Sequence, residues 1–318
     1  MAVTQPREQT LLPVGTLPGV AARSLPGPIA VQASPTAVDI GPVSRYLGLT
    51  GNSLPFKLSI LMAAYNAEAT IAQAIRAVLK VDYPCSIELI VVDDGSTDGT
   101  HKLLSRIDDA RLITYRHEMN QGRGAALLSA ARLATGSYVL LFDAGLGYSA
   151  EDIPRILAPV LADRCRVVYG TLLSGYNTVR QSHRYARGNR LLTWLANVLF
   201  DACVSDLHAR LRLMPVAMLN DLSLREPGRG FDTELTALLL KHGIRPFEVP
   251  VSYSSRQHPP GEKVSWRTAM ACVRILLHVR MRRRPAGLRS PRRQDDRGYD
   301  TALVPPEHPL FPRRVDAA

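Results

Sequence analysis

The chain has 318 residues, 46% of them hydrophobic, enough for one sizeable buried core. Its net charge is +11, with a dense run at Arg280–Arg293 (RMRRRPAGLRSPRR); no aromatics are interleaved to stack on bases, which argues against a nucleic-acid partner and leaves an anionic membrane surface or solvent. Cys85, Cys165, Cys203 and Cys272 form no CxxC pair and no zinc-spaced cluster, and neither a secretory leader nor an apolar run of about 18 residues is visible. A disulfide framework, a zinc module and a spanning helix are therefore not expected, and a reducing, cytoplasmic setting is.

Residues 1–55, rich in Pro, Gly and Ala, hold no sustained period and are predicted disordered, as is the Arg/Pro-rich tail 285–318. Between them, 56–284 read as one domain. Lys57–Ala64 is a short apolar run; Ala67–Lys80 follows with Ile71, Ile75, Val78 and Leu79 on one helical face. Ile87–Asp94 is a continuous apolar strand of the kind covered on both sides. A short helix over Thr100–Ile107, an alternating strand over Arg111–Arg116 and a helix over Gly124–Ala134 come next, the last expected to stop at Gly136 in a left-handed cap. Tyr138–Asp143 is a third buried strand, Ser149 and Asp152 mark a helix start, and Arg166–Gly170 is again strand. Beyond residue 180 the reading is a helix over His183–Ala202, an extended segment over Leu207–Met214, an amphipathic helix over Phe231–His242 and a Pro-containing edge strand over Arg245–Val251. A last helix spans Ser265–Met281.

Strands and helices alternating at this spacing predict an α/β fold with a mostly parallel central sheet and helices on both faces. In such sheets ligands bind beyond the carboxyl ends of the strands, and Tyr65, Asp94 and Asp143 each close an apolar run. A carboxylate there can accept hydrogen bonds from a base or ribose, and the glycines of Asp93-Asp94-Gly95-Ser96-Thr97-Asp98-Gly99-Thr100 allow close approach. A calcium loop starting at Asp94 fails, because Ser105 stands where the bidentate Glu belongs. A dinucleotide loop at Gly122-Arg123-Gly124 fails for want of its third glycine, Leu127 standing there.

Ala64-Tyr65-Asn66, then DDGSTDGT, then Asn120-Gln121-Gly122-Arg123-Gly124-Ala125-Ala126, then Asp143-Ala144 after the third buried strand, together resemble glycosyltransferase family 2. Glu151-Asp152-Ile153-Pro154, Gly230-Phe231-Asp232-Thr233-Glu234, Glu248-Val249-Pro250-Val251-Ser252-Tyr253 with Arg256, and Gly261-Glu262-Lys263-Val264 continue the resemblance in one register over about residues 57 to 281, and in the dolichol-phosphate mannosyltransferase-like, polyprenyl-phosphate branch. The resemblance implies a single nucleotide-sugar-binding domain of the GT-A type. It implies that Ala64, Tyr65, Asn66, Glu68, Asp93, Asp94, Arg123 and Asp143 hold the donor, a GDP- or UDP-sugar. Arg184, Arg187, Asp206, Arg256 and Lys263 would meet the diphosphate or the acceptor, a polyprenyl phosphate or a glycan. Asp143 would hold Mg²⁺ or Mn²⁺, and Asp143, Asp232 and Glu234 would be the catalytic set, the last two as candidate bases for a hydroxyl acceptor.

The chain departs from the family at the metal: the pattern D-A-D-L-E-Y-D reads Asp143-Ala144-Gly145-Leu146-Gly147-Tyr148-Ser149, and Ala209-Arg210-Leu211 replaces small and aromatic residues at the acceptor motif. A cation bridging a diphosphate needs one or two carboxylates, so the lost acids admit an alternative, a non-catalytic relative that binds a nucleotide or a partner. For the enzyme, the expectation is inverting, in-line displacement. The arginine stripe 184, 187, 190 and the arginines of the last helix (267, 274, 280 and 282–284) suit docking on the cytoplasmic membrane surface.

Overall fold

The computed structural model describes residues 56–172, 183–228, 230–252 and 266–282, with the side chains of 183–186 excepted. The two tails, Tyr253, Arg256, Lys263 and the side chain of Arg184 lie outside the described residues.

Three apolar runs become the centre of the sheet: β1 (Lys57–Ala64), β2 (Ser86–Asp93) and β4 (Tyr138–Asp143). Their side chains alternate between two cores. Leu61, Ile90, Val92, Val139 and Leu141 point to one face; Leu58, Ile60, Met62, Leu89, Val91, Leu140 and Phe142 point to the other. A strand apolar at every position can satisfy both faces, which is why these runs do not alternate with polar residues. The remaining strands are β3 (Leu112–Arg116), β5 (Val168–Thr171), β6 (Arg212–Pro215) and β7 (Phe247–Pro250), giving seven in the order β3-β2-β1-β4-β6-β5-β7. β6 alone runs antiparallel to its neighbours β4 and β5. The Pro-bearing β7 lies at the edge, as its composition predicts.

On one face pack α1 (Ile71–Lys80), through Ile71, Ala74, Ile75 and Val78, and α4 (Ile153–Leu161), through Ile153, Ile156, Leu157 and Val160. Ser149 opens the turn before α4 by accepting from the Glu151 N–H at 3.3 Å. The other face is covered by α3 (Arg123–Leu133) and by the chain from α5 (His183–Phe200) through α6 (Val216–Asp221) and α7 (Phe231–Lys241) to α8 (Trp266–Met281). A short helix, α2 (Thr100–Leu104), follows β2. No helix among the described residues is long and apolar enough to cross a membrane.

Two local expectations are corrected. Gly136 is not in the left-handed region; α3 ends in an extended Ala134. Glycine is required there for closeness instead, since a Cβ would stand 2.4 Å from the Lys57 carbonyl. Nor is α7 amphipathic. All eleven of its residues are buried, because α5 and α8 cover the side a surface helix would expose. At the opposite end of the sheet from the carboxyl rim, Glu88 accepts from Ser59, Thr135 and Gly136 and pairs with Lys57 at 2.6 Å. Burial alone would raise its carboxyl, but these partners hold it down at about 2.

Candidate active site

β1, β2 and β4 run parallel, so their carboxyl ends share one rim, with β2 and β4 on either side of β1. Ala64, Asp93 and Asp143 are their last residues, and Tyr65, half exposed, and Asp94 follow directly.

The first half of the rim is a stitched pair of loops. Asn66, at φ 47°, donates its N–H to Ser96 Oγ at 3.0 Å and accepts from the Thr97 N–H at 2.9 Å. The Glu68 carboxylate accepts from the Gly99 N–H at 2.9 Å, and Asp98 accepts from the Glu68 N–H at 3.1 Å. Asp93 accepts from the Ser96 N–H at 2.9 Å; its second oxygen, buried, makes no hydrogen bond among the described residues and faces Arg116 Nε at 3.4 Å.

Asp94 is 2% exposed, and its carboxylate organises the next loop. One oxygen accepts from His117 Nδ1 at 2.7 Å and the Gln121 N–H at 3.0 Å; the other accepts from the Gly122 N–H at 2.8 Å. His117 Nε2 in turn meets Ser129 Oγ on α3 at 3.0 Å. The loop can come this close because Gly95 (φ 70°) and Gly122 (φ 98°) adopt left-handed conformations, and a Cβ on Gly95 would meet Met119 backbone at 2.5 Å. An Asp94→Asn variant would turn an amide N–H₂ toward one of these donors. About 1–3 kcal/mol of stability should be lost, with hydrogen exchange accelerated across 117–122 and nucleotide affinity reduced. Unchanged protection in that loop would contradict the positioning role.

The second half of the rim is a chain of charges. Arg123, the first residue of α3, donates from Nε to Asp143 Oδ1 at 3.1 Å and from Nη1 to the two Asp232 oxygens at 3.0 and 3.1 Å. Arg210 donates from Nη1 to Asp143 Oδ2 at 3.0 Å. Arg212, fully buried on β6, donates to the carbonyls of Ala209, Leu207 and Asp232, and its Nη1 lies 3.8 Å from Asp232 Oδ1. Burial would raise both carboxyls. Arg123 and Arg210 overcome it at Asp143, which is held at about 2, and Arg123, Arg212 and Arg210 likewise keep Asp232 below its ordinary range.

The structure thus brings Tyr65, Asp94, Arg123, Asp143 and Asp232 to one rim, and it corrects the expectation for Glu234. That carboxylate accepts from the Arg225 and Glu226 N–H groups at 2.8 Å each and pairs with Arg282 Nη1 at 3.1 Å, so it holds the entry to α7 and the end of α8 together. Arg282, expected in the basic surface cluster, is thereby drawn into the fold. Asp206 caps locally, accepting from Asn189 Nδ2 at 2.8 Å and the His208 N–H at 2.9 Å. Arg187 is exposed on α5. His117, Arg210 and Arg212 are not among the site residues expected from the sequence; Arg212, a charge inside the apolar stretch LRLMP, and Arg210, a departure from the acceptor motif, each carry a signal there, and His117 carries none.

The sheet order, the lone antiparallel β6 and a rim of carboxylates and guanidinium groups at the carboxyl ends of the strands define a GT-A-like α/β domain. Residues 59–215 match the family described as "Glycosyl transferase family 2", and that stretch is a family 2 glycosyltransferase domain. The chain is similar to the low-salt glycan biosynthesis hexosyltransferase of Haloferax volcanii, 28% identical over 207 residues, 63% of this chain and 48% of that protein, so it spans about half of that relative's length. It is also similar to the UDP-N-acetylglucosamine–dolichyl-phosphate N-acetylglucosaminyltransferase of Methanococcus voltae, 24% identical over 212 residues, 60% of this chain and 83% of that one. Among solved structures, the glucosyl-3-phosphoglycerate synthase of Mycobacterium tuberculosis in complex with Mn²⁺, UDP and phosphoglyceric acid shares the fold. The TM-score is 0.56 at 21% identity, over 72% of this chain and 80% of that one.

Proposed function

We propose that the chain transfers a sugar from a GDP- or UDP-sugar to a polyprenyl phosphate of the dolichol type at the cytoplasmic membrane surface, with inversion at the anomeric carbon. The observation that carries the reading is the convergence of Tyr65, Asp94, Arg123, Asp143 and Asp232 on one rim. The names of the relatives, which include a dolichyl-phosphate sugar transferase, support it.

In the reaction an acceptor oxygen attacks the anomeric carbon as the bond from that carbon to the β-phosphate oxygen breaks; the electron pair leaves with the nucleoside diphosphate. A hydroxyl acceptor needs a base with a pKa near working pH. Asp143 and Asp232 are held low by arginines, and Glu234 is committed elsewhere. A phosphate acceptor is already ionised and needs none. These three carboxylates therefore favour a lipid phosphate over a glycan hydroxyl. So do two exposed apolar seams at helical spacing, Leu191, Trp194 and Val198 on α5 and Trp266, Met270, Leu277 and Met281 on α8, flanked by exposed Arg187, Arg190, Arg267, Arg274 and Arg280. A second reading, a nucleotide-binding relative without transfer, is favoured by one observation, the double engagement of Asp143 by Arg123 and Arg210.

The test is a transfer assay with radiolabelled GDP- and UDP-sugars and polyprenyl phosphate in anionic vesicles, beside soluble glycan acceptors. Label extractable into organic solvent is expected. Label confined to a glycan product would overturn the acceptor, and nucleotide binding without any transfer would establish the second reading.

A further inference from the structure

A divalent cation does not fit the residues at Asp143. A cation bridging a diphosphate wants oxygen ligands with free lone pairs. Gly145, Gly147 and Ser149 supply no carboxylate, and among the described residues no three His, Cys, Asp or Glu side chains are grouped to hold a metal. Each oxygen of Asp143 is already met by a guanidinium, Oδ1 by Arg123 at 3.1 Å and Oδ2 by Arg210 at 3.0 Å. A metal would have to displace one or both of these charge-assisted contacts, and the second carboxylate of the cluster, Asp232, is itself held by Arg123 and faces Arg212.

The charge that a metal would bring is nevertheless present. Arg123, Arg210 and Arg212 with Asp143 and Asp232 carry one net positive charge, the same as a divalent cation on one aspartate. The guanidinium groups of Arg123 and Arg210 are placed for different tasks. Arg123 is locked, with Asp143 on one side and Asp232 on the other, and its Nη2 is buried without a hydrogen-bond acceptor among the described residues, although it ion-pairs with Asp143 Oδ1. The Arg210 side chain is 34% exposed, and it enters from the stretch just before β6 onto Oδ2 of Asp143, Arg123 being on Oδ1. A planar guanidinium has five N–H donors, so Arg210 can keep its aspartate contact and still donate to a phosphate oxygen, while the locked Arg123 contributes chiefly its charge.

We propose that Arg123 and Arg210, held on the two oxygens of Asp143, bind the diphosphate of the donor in place of a divalent cation. This rests on the nucleotide-sugar reading above. As the bond between the anomeric carbon and the β-phosphate oxygen breaks, the electron pair stays on that oxygen, and the negative charge grows against fixed N–H donors; no proton changes hands. The substitution of Arg210 into the acceptor motif and the loss of the acids after Asp143 are then two halves of one exchange, metal for guanidinium.

Calorimetric titration of the full chain with UDP, GDP, uridine and guanosine, each in EDTA and in excess Mg²⁺ or Mn²⁺, tests the proposal. One diphosphate should bind more tightly than its nucleoside, with an affinity that metal leaves within about 2-fold. Arg210→Ala should weaken the diphosphate by roughly 10–100-fold and leave the nucleoside unchanged. Arg210→Lys, which keeps the charge and the fold without the forked geometry, should fall between them. A diphosphate affinity that collapses in EDTA would overturn the clamp while leaving the nucleotide-sugar reading intact. So would equal losses of diphosphate and nucleoside in a folded Arg210→Ala. Failure of both nucleotides under every condition would overturn both.

Discussion

An Arg123→Ala variant should lose about 3–5 kcal/mol of stability, the usual cost of removing one partner from a buried ion pair, and a transfer rate roughly 10²–10³-fold as well. The reason is the geometry of the charge chain. Arg123 bonds both carboxylates, Asp143 through Nε and Asp232 through Nη1. Without it, Asp143 keeps Arg210, but Asp232 is left with an Arg212 contact of 3.8 Å. Thermal unfolding should shift down by about 10 °C, at roughly 2–4 °C per kcal/mol for a domain of this size. Arg123→Lys should recover part of the stability but little of the rate, because one ammonium cannot reach both aspartates in the same fixed geometry. The effect has a signature in acid. Asp143 titrates at about 2 in the folded chain against an ordinary 3.8. Its contribution is therefore complete above 3.8 and is lost as pH falls through about 2. The gap in stability between the parent and Arg123→Ala should accordingly be widest at neutral pH and should narrow over that acid window. A gap that stays constant to pH 2 would show that the pairing is not its source.

How much of this was legible in the sequence follows from what kind of interaction fixes each part. β1 and β4 are predicted to the residue, because a buried parallel strand must be apolar throughout and stops where the chain meets the rim. For the same reason Tyr65, Asp94 and Asp143 could be placed together before any coordinates. What pattern does not carry is partnership. Glu234 and Asp232 lie in the same first turn of α7, yet one faces the rim and the other Arg282, and only the packing of α8 decides which. The buried character of α7 was missed because its covering helices come from distant stretches of the chain. Asp94 reads as a ligand contact from its place at a strand end; its bonds to His117, Gln121 and Gly122 depend on how the following loop returns. At Asp143 the missing acids are visible in the sequence, while the arginine that compensates for them arrives from a segment more than sixty residues later, Asp143 and Arg210 being 67 positions apart. Departures from a family pattern are read more reliably in pairs, and the second member of this pair needed the fold.

Replacing Arg212 by Met should be nearly as damaging to stability, about 3–5 kcal/mol, although Met matches much of the side chain's volume. Arg212 is 0% exposed, under the Tyr169 ring at 4.7 Å, and the strand register sets it opposite Leu141, inside the core that α7 covers. Its guanidinium serves three carbonyls, of Ala209, Leu207 and Asp232. Each buried carbonyl left without a donor costs about 1–3 kcal/mol, and an apolar thioether replaces none of the lost bonds. The consequence reaches the rim, because the Asp232 carbonyl and carboxylate are both anchored by Arg212, and Asp232 is the second support of Arg123. Arg212→Met should therefore lower the melting temperature by about 10 °C and also reduce nucleotide diphosphate affinity at temperatures where it is fully folded. Arg212→Lys, which can keep one or two of the carbonyl bonds, should restore more of the melting temperature than of the affinity. Were Arg212→Met to melt like the parent, the buried guanidinium would be a passenger in the core, and the chain of charges would end at Asp232.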